Sequence, residues 1–434
     1  MQMKLKRLLT IGALVMAWVV LVVISAAAGW IAMLLSASFT ADLILFSVLS
    51  VLAVACVALA GSWLMGWTFR FGRGWRWANA LLLTVGLTAA AKLMLFLPAH
   101  ELYGPLQAPE ITATPAQASF WQLPTGSRIA YQRFAAEQGE PKATILWLHG
   151  GPGAYAVSMS ELHPIFEELA GMGYEVYIYD QIGGGLSARL ADLRDYTLDR
   201  HLRDLQAIQL HIDAPSVVLI GSSWGAALAA HYIARNPGSV HAAVFNAPGE
   251  MTTLQKRSDA EGSGTQSRED NQAKREWTLA LGPRALILEP IRLRQPALFD
   301  QLSSDAEWDQ AMDYFLNRFV LADAVCPGTS IPLQVRGYGL FSNKYTNIDF
   351  LQSADETLRD WPGTDIPTLL LRGECEFLSE EIVEQYRGRF TQLQFVEVVD
   401  AGHFIALEQP AVLIEQLRLF LDKNATMTPI TNHP

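Results

Sequence analysis

The stretch "VVLIGSSWGAALAAHYIA", residues 217–234, decides the fold class. Its first, apolar run predicts a strand buried on both faces, and the alanine-rich run that follows predicts a helix. Between them lies the pattern G-x-S-x-G, in which Gly221 and Gly225 permit a sharp turn that presents Ser223 above the sheet. The alternative is a serine that only caps the helix. We predict that Ser223 is a catalytic nucleophile.

Strand-like and helical segments alternate on both sides of this stretch. The strand candidates are 127–134, 143–149, 174–180, 216–222, 241–247, 367–373 and 393–399. The helix candidates include 160–171, 198–212, 224–235 and 408–422. Such alternation predicts the α/β class, with a mostly parallel sheet and helices on both of its faces.

The alternation is interrupted between residues 247 and 367. That interval begins with a polar stretch and continues into amphipathic, aromatic-rich segments such as "EWDQAMDYFLNRFVLA". A long insert at the carboxyl side of a parallel sheet is well placed to cover a ligand crevice. We therefore expect a core at 119–248 and 351–424, a helical cap at 249–350 and a tail at 425–434.

A nucleophilic serine needs a base, and the base needs an acid that orients it. In this fold type they follow in the order serine, acid, histidine. His403, in "VVDAGHFIALEQP", follows a strand and a glycine and precedes a helix, which predicts that it is the base. The acid should leave the preceding strand, where "LLLRGECEFLSEE" offers Glu374 and Glu376. The spacing from the strand favours Glu376, and we interpret Asp400 as a turn residue.

Acyl transfer also needs donors for the developing oxyanion. One is the N–H of the residue after the nucleophile, Trp224, and the other comes from the loop after the third strand. That loop is "HGGPG", residues 149–153, whose glycines let the backbone approach a substrate. We predict that Gly151 is the second donor, with Gly150 as the alternative, and that Gly150 contributes to substrate binding. We interpret His149 as a structural residue.

The first hundred residues have a different character. Residues 8–36 and 43–69 carry no charge, and residues 77–97 carry only Lys92. Each run reaches the length of about 20 residues that a helix needs to cross a bilayer. We therefore expect three transmembrane helices in 1–98 and a proline-rich linker at 99–118. A cleaved signal peptide is the alternative for the first run.

Positive charges predict the orientation of these helices. Three cations precede the first run and three lie between the second and the third: Lys4, Lys6, Arg7, Arg70, Arg73 and Arg76. Cationic loops stay in the cytoplasm, so three crossings would deliver the C-terminal domain to the far side. We expect an integral protein of a bacterial inner membrane with an extracytoplasmic catalytic domain.

Charge and cysteine content restrict the partners. The formal net charge is −11, and nearly all of the anions lie after residue 98, which argues against a nucleic-acid partner. No Cys/His spacing resembles a metal site, and we expect neither metal nor cofactor. Cys326 and Cys375 would be free to pair in an oxidising compartment, but sequence separation does not give their distance.

Three motifs together resemble a known family. "HGGPG", "YDQIGGGLS" (179–187) and "GSSWG" are similar to the motifs of the prolyl aminopeptidases, or proline iminopeptidases, a branch of the α/β-hydrolases. The resemblance covers about residues 119–422. It implies an α/β-hydrolase fold with a helical cap and a triad of Ser223, Glu376 and His403.

Two departures from the family concern its substrate. The family usually has arginine after the Asp-Gln pair, where this chain has Ile182. Family members hold the free amine of the substrate with cap glutamates, one of them in a W-x-x-W-E-like helix. The nearest stretch here, "AKREWTLALG" (273–282), offers Trp277 and Glu276 for substrate binding but has apolar Leu281 where an acid is expected. Hydrolase chemistry is therefore better supported than removal of N-terminal proline.

The resulting hypothesis is a membrane-anchored, extracytoplasmic serine hydrolase of peptidase type, acting on a small molecule or peptide. One alternative is an esterase or lipase-like acyl hydrolase that uses the same triad. A lesser alternative is a non-catalytic binding protein on the same fold. Composition leaves the oligomeric state open.

Overall fold

The computed structural model describes residues 2–96, 118–137, 139–252 and 284–424. They divide into two compact units. The first contains the N-terminal helices together with the segment 284–307, and the second contains the remaining chain.

Three long helices build the first unit: α1 (Gln2–Ala37), α2 (Leu43–Thr68) and α3 (Arg73–Phe96). Three polar side chains inside this apolar bundle, one from each helix, form hydrogen bonds with one another. The Asn79 amide donates to Ser62 Oγ at 2.8 Å and accepts from the Trp18 indole at 3.1 Å. This network connects all three helices. Because unpaired polar groups are costly in apolar surroundings, it stabilises the packing of the helices against one another.

The expectation of three transmembrane helices is corrected to two. Among the described residues, Lys6–Ala37 and Leu43–Thr68 are long and apolar enough to cross a membrane. The third helix forms, but it is less apolar because it begins with Arg73 and Arg76 and carries Asn79 and Lys92. By length and composition, the first unit therefore contains two candidate spans.

The segment 284–307, which we expected in the cap, packs against one end of this bundle. The Arg284 guanidinium donates to the carbonyl oxygen of Leu95, near the end of α3, and forms an ion pair with Glu307 at 2.9 Å. The Gln301 amide donates to the carbonyl oxygen of Ala41, between α1 and α2, at 2.9 Å. The α1–α2 connection and the end of α3 therefore lie at the same end of the bundle.

The second unit is built on an eight-stranded sheet with the order β1-β2-β4-β3-β5-β6-β7-β8. The strands are β1 (Ser119–Gln122), β2 (Arg128–Phe134), β3 (Thr144–Leu148), β4 (Glu175–Tyr179), β5 (Val217–Ser222), β6 (Val240–Asn246), β7 (Thr368–Gly373) and β8 (Leu393–Val398). The first two strands pair antiparallel, and the other six run parallel. The seven predicted strands and the predicted α/β class are confirmed.

Helices cover both faces of the sheet, as the sequence predicts. They include α4 (His163–Gly171), α5 (Leu198–His211) and α6 (Trp224–Arg235) and, beyond the insert helix α7 (Asp305–Phe315), also α8 (Leu340–Thr357), α9 (Glu381–Arg387) and α10 (Pro410–Asn424). One apolar core contains Leu205 and Leu228, and the other contains Phe166 and Leu417. All four side chains are buried.

This topology brings the predicted site residues to one edge of the sheet. His149, Ser223, Glu376 and His403 follow the carboxyl ends of β3, β5, β7 and β8, respectively. Because these strands are parallel, their carboxyl ends meet at the same edge, where open α/β sheets bind ligands.

Candidate active site

Ser223 lies in the sharp turn between β5 and α6. Its φ is +53°, a left-handed conformation that a non-glycine residue adopts only under strain. A Cβ added to Gly221 would overlap the carbonyl oxygen of Gly225, and one added to Gly225 would overlap that of Leu148. Both glycines are therefore required by close backbone approach, which is what a strained, serine-presenting turn needs.

His403 contacts the carboxylate of Glu376. Nδ1 of the imidazole lies 2.8 Å from Oε2 and 3.0 Å from Oε1. The other acid considered, Glu374, instead accepts the backbone N–H of Asp400 at 3.2 Å. Asp400 itself is exposed with φ +53°, as expected of a turn residue. The arrangement can fix the imidazole tautomer and stabilise an imidazolium.

The Glu376 carboxylate is buried and held from its own loop. Its side chain is 3% exposed, and Oε1 accepts the backbone N–H of Leu378 at 3.0 Å. The Arg372 guanidinium donates to the carbonyl oxygen of Leu378 at 3.0 Å. These bonds fix the turn that carries the acid.

A cavity of about 300 Å³ brings the predicted residues together. Ser223, His403, Gly150 and Gly151 all line it. Its other walls are mainly apolar, and among the described residues none of its lining side chains is a carboxylate or a cationic Lys or Arg. Apolar side chains line the cavity both from the side of the sheet and from the insert; they include Trp147, Met159, Leu162, Leu316, Val320 and Leu333.

The glycine-rich loop lies against the serine. A Cβ added to Gly150 would be 3.1 Å from Ser223 Cβ and 3.6 Å from its Oγ, so glycine leaves the room that a reacting carbonyl would need. Gly151 has φ +119°, a region open to glycine. Trp224 is the first residue of α6, directly after Ser223.

His149 has both ring nitrogens engaged away from Ser223. Nδ1 lies 2.8 Å from the carbonyl oxygen of Gly150, and Nε2 accepts the backbone N–H of Gln181 at 2.8 Å. Burial lowers the pKa of His149 to about 4, so the ring is neutral at physiological pH. This geometry agrees with the structural role expected for His149.

In the "YDQIGGGLS" segment, Gln181 contacts the glycine-rich loop and Asp180 contacts the stretch just after it, and no individual role was predicted for either. Asp180 accepts the backbone N–H groups of Ala156 and Val157 at 2.7 and 2.9 Å. Gln181 bonds to both His149 and Trp224. Burial of the Asp180 carboxylate raises its pKa, although these hydrogen bonds oppose the shift. The signal in the sequence was the presence of the Asp-Gln pair directly after a buried strand.

A disulfide joins Cys326 to Cys375, whose Cα atoms are 5.2 Å apart. It connects the insert to the residue directly before Glu376. The Glu408 carboxylate strengthens the same region, since it accepts the backbone N–H groups of Cys326 and Gly402, each at 2.8 Å. The sequence had left this pairing open.

The predicted substrate-binding residues Trp277 and Glu276 lie outside the described residues. Leu281 lies outside them as well. Ile182, which stands where the family usually has arginine, is buried, with 1% exposure. Within the described parts of the chain, no group of three or more His, Cys, Asp or Glu side chains is arranged to hold a metal ion.

Comparisons with known proteins agree with this geometry. Residues 143–410 match the family model of the alpha/beta hydrolase fold. A proline iminopeptidase of Heyndrickxia coagulans is 33% identical over 124 residues, which are 29% of this chain and 41% of that protein. Another, of Lactobacillus crispatus (strain ST1), is 21% identical over 322 residues, 70% of this chain and 98% of that protein. Matches to several other proline iminopeptidases cover 30% to 37% of their own length.

Among solved structures, the epoxide hydrolase CorEH without ligand is similar in fold. The TM-score is 0.51 at 15% identity, over 70% of this chain and 98% of that chain. At this identity the similarity concerns the fold alone. Because the family model matches more than half of the sequence, the chain belongs to the alpha/beta hydrolase fold family, within which it is similar to the proline iminopeptidases.

Proposed function

We propose that this hydrolase is a serine hydrolase of peptidase type that uses Ser223, His403 and Glu376. The observation that carries the proposal is the contact of His403 with Glu376 at a cavity that Ser223 also lines. Serine hydrolases need this set of nucleophile, base and orienting acid. The strained turn at Ser223 provides independent support.

The reaction proceeds through an acyl-enzyme. Ser223 Oγ attacks the substrate carbonyl carbon, and its proton passes to Nε2 of His403. The imidazolium, stabilised by Glu376, then donates that proton to the leaving group as the tetrahedral intermediate collapses. Water, deprotonated by His403, attacks the acyl carbon, and that proton passes to Ser223 Oγ as the acyl–oxygen bond breaks and the acid product leaves. The main-chain N–H groups of Gly151 and Trp224 stabilise the oxyanion in both steps.

A second candidate, an esterase, is favoured by the walls of the cavity. A peptidase that removes N-terminal residues has to bind a positively charged amine, for which a carboxylate is the usual partner. None of the described lining side chains is a carboxylate. An ester with an apolar acyl group needs no such partner and matches the aliphatic walls.

One pair of assays separates the two substrates. Turnover of a proline arylamide and of a short p-nitrophenyl ester is compared for the full chain in detergent and for Ser223→Ala. Hydrolysis of the arylamide that Ser223→Ala abolishes supports the peptidase. Hydrolysis of the ester alone would support the esterase instead of the peptidase. Turnover of both substrates by Ser223→Ala would reject the serine mechanism.

We further propose that the catalytic unit is extracytoplasmic. If α1 starts in the cytoplasm, the α1–α2 connection lies on the far side. Gln301 contacts that connection at Ala41, which supports the same side for the segment 284–307, from which the sequence continues into the catalytic unit. The Cys326–Cys375 disulfide supports an oxidising compartment.

A reporter that is active only outside the cytoplasm, fused after residue 118, should be active. Activity of a cytoplasm-specific reporter at the same position would refute the orientation.

A further inference from the structure

The Gln181 side chain forms hydrogen bonds to both segments that carry the proposed oxyanion-hole donors. Its Nε2 donates to the carbonyl oxygen of His149 at 2.9 Å, and its Oε1 accepts the indole N–H of Trp224 at 2.9 Å. His149 begins the loop that contains Gly151, while Trp224 supplies the other proposed donor. One amide therefore connects the two segments that carry the donors.

The main chain of Gln181 adds a second connection to the same loop. Its backbone N–H donates to Nε2 of His149, whose Nδ1 lies within hydrogen-bonding distance of the carbonyl oxygen of Gly150. The three side chains are buried, with 2% exposure for Gln181, 4% for His149 and 5% for Trp224. Water therefore cannot readily replace these bonds, and their loss leaves polar groups unpaired.

The chemistry of this position requires an amide. The His149 carbonyl oxygen needs a donor, and the Trp224 indole needs an acceptor. Glutamine offers both on one planar group, whereas a glutamate carboxylate lacks the donor and leucine lacks both. Stabilisation of an oxyanion depends on donors that are already in place before the reaction.

We propose that Gln181 is a positioning residue that sets the spacing between the main-chain N–H groups of Gly151 and Trp224. The proposal rests on the proposed function, in which Ser223 is the nucleophile. Gln181 does not touch the reacting atoms; it acts through the two segments that it connects. Its loss should therefore slow the chemical step more than it weakens substrate binding.

Gln209 provides a matched control. It is also buried, with 4% exposure, and its Nε2 donates to the carbonyl oxygens of Ala214 and Ser239, both at 2.9 Å. Its Oε1 accepts the Tyr232 hydroxyl at 2.7 Å. It thus makes the same kinds of bond as Gln181, but none of its three partners is Trp224 or a residue of the loop 149–153.

The test compares Gln181→Leu with Gln209→Leu in the full chain in detergent. A fluorophosphonate probe reports nucleophile reactivity, because Ser223 Oγ bonds to phosphorus, fluoride leaves and the hydroxyl proton passes to His403. Hydrolysis of p-nitrophenyl butyrate gives kcat and KM. Circular dichroism and the thermal midpoint give the folded fraction, to which all rates are normalised.

We expect Gln181→Leu to lower the phosphonylation rate and kcat roughly 10- to 100-fold, with KM changed less than about three-fold. Gln209→Leu should lower the thermal midpoint and leave both rates within about two-fold. Equal losses of rate in the two variants, or a Gln181→Leu effect confined to KM, would overturn the positioning role.

If Gln181→Leu does not fold, Trp224→Phe provides a second test. It removes the indole N–H that donates to Gln181 Oε1 and leaves the main-chain N–H of residue 224 in place. It should lower both rates about 3- to 10-fold, and within a foldable double variant the two effects should be less than additive. Full rates in Trp224→Phe would overturn the proposal. A wild type that does not react with the probe would instead refute the proposed function itself.

Discussion

Nδ1 of His403 lies 2.8 Å from Oε2 of Glu376, while the acid two residues earlier, Glu374, contacts the backbone of Asp400. The chain thus offers two glutamates of similar sequence context and different geometry. This difference gives a direct test of which one orients the base.

Glu376→Gln should lower kcat roughly 10³- to 10⁴-fold while the protein stays folded. The amide keeps the shape of the side chain but cannot stabilise the imidazolium, and it favours the wrong tautomer. Steady-state hydrolysis of p-nitrophenyl butyrate measures the effect. Glu374→Gln is the control and should change kcat less than about three-fold. A larger loss in Glu374→Gln than in Glu376→Gln would reverse the assignment.

The Cys326–Cys375 disulfide should be present in the purified protein. Denaturation without reductant followed by alkylation should modify Cys56 alone, and prior reduction should expose all three cysteines. Mass spectrometry counts the alkyl groups. Three alkylated cysteines without reduction would contradict the bridge and remove one support for the extracytoplasmic location.

Loss of that disulfide should also destabilise the catalytic unit. Its two cysteines are 49 residues apart, and closing a loop of that size stabilises a protein by about 4 kcal/mol. Because Cys375 precedes Glu376, the double variant Cys326→Ala/Cys375→Ala should lose activity at a lower temperature than wild type. Residual activity after heating measures this, with Cys56→Ala as the control. An unchanged inactivation temperature in the double variant would contradict the account.

Buried histidines should make stability depend on pH. Burial lowers the pKa of His231 to about 4, whereas an unfolded histidine has a pKa of about 6.5. The unfolded chain therefore binds more protons between these values, and the free energy of unfolding falls as pH falls through this window. From pH 7.5 to pH 5, wild type should lose about 2 kcal/mol more than His231→Leu. Denaturant unfolding followed by tryptophan fluorescence tests this, and equal losses would show that His231 titrates normally.

Much of the fold was predictable because its signals are local. The seven predicted strands are apolar or alternating runs bounded by turn residues, and the structure has all of them. β1 was missed because its four residues, Ser119–Gln122, are too few to show a period. We predicted that α3 is a third membrane span because residues 77–97 are nearly uncharged. Its polar and cationic residues make it less apolar than α1 and α2, which are the two candidate spans.

The candidate site was predictable where a motif determines backbone shape. G-x-S-x-G and the glycine before His403 mark strand ends, so Ser223 and His403 could be chosen, although their catalytic roles stay predictions. The choice of Glu376 over Glu374 came from spacing. The Cys326–Cys375 pairing, the contact of Gln301 with Ala41 and the bonds of Gln181 join distant segments, and no local pattern gives their distances.

The central claim, that Ser223 is the nucleophile, is tested most directly by mass spectrometry of the full chain after reaction with a fluorophosphonate. Wild type should gain one adduct that maps to Ser223, and Ser223→Ala should gain none. Ser216→Ala, which changes a serine beside His241 just before the same strand, should react like wild type. An unlabelled wild type, or equal labelling of Ser223→Ala, would contradict the account.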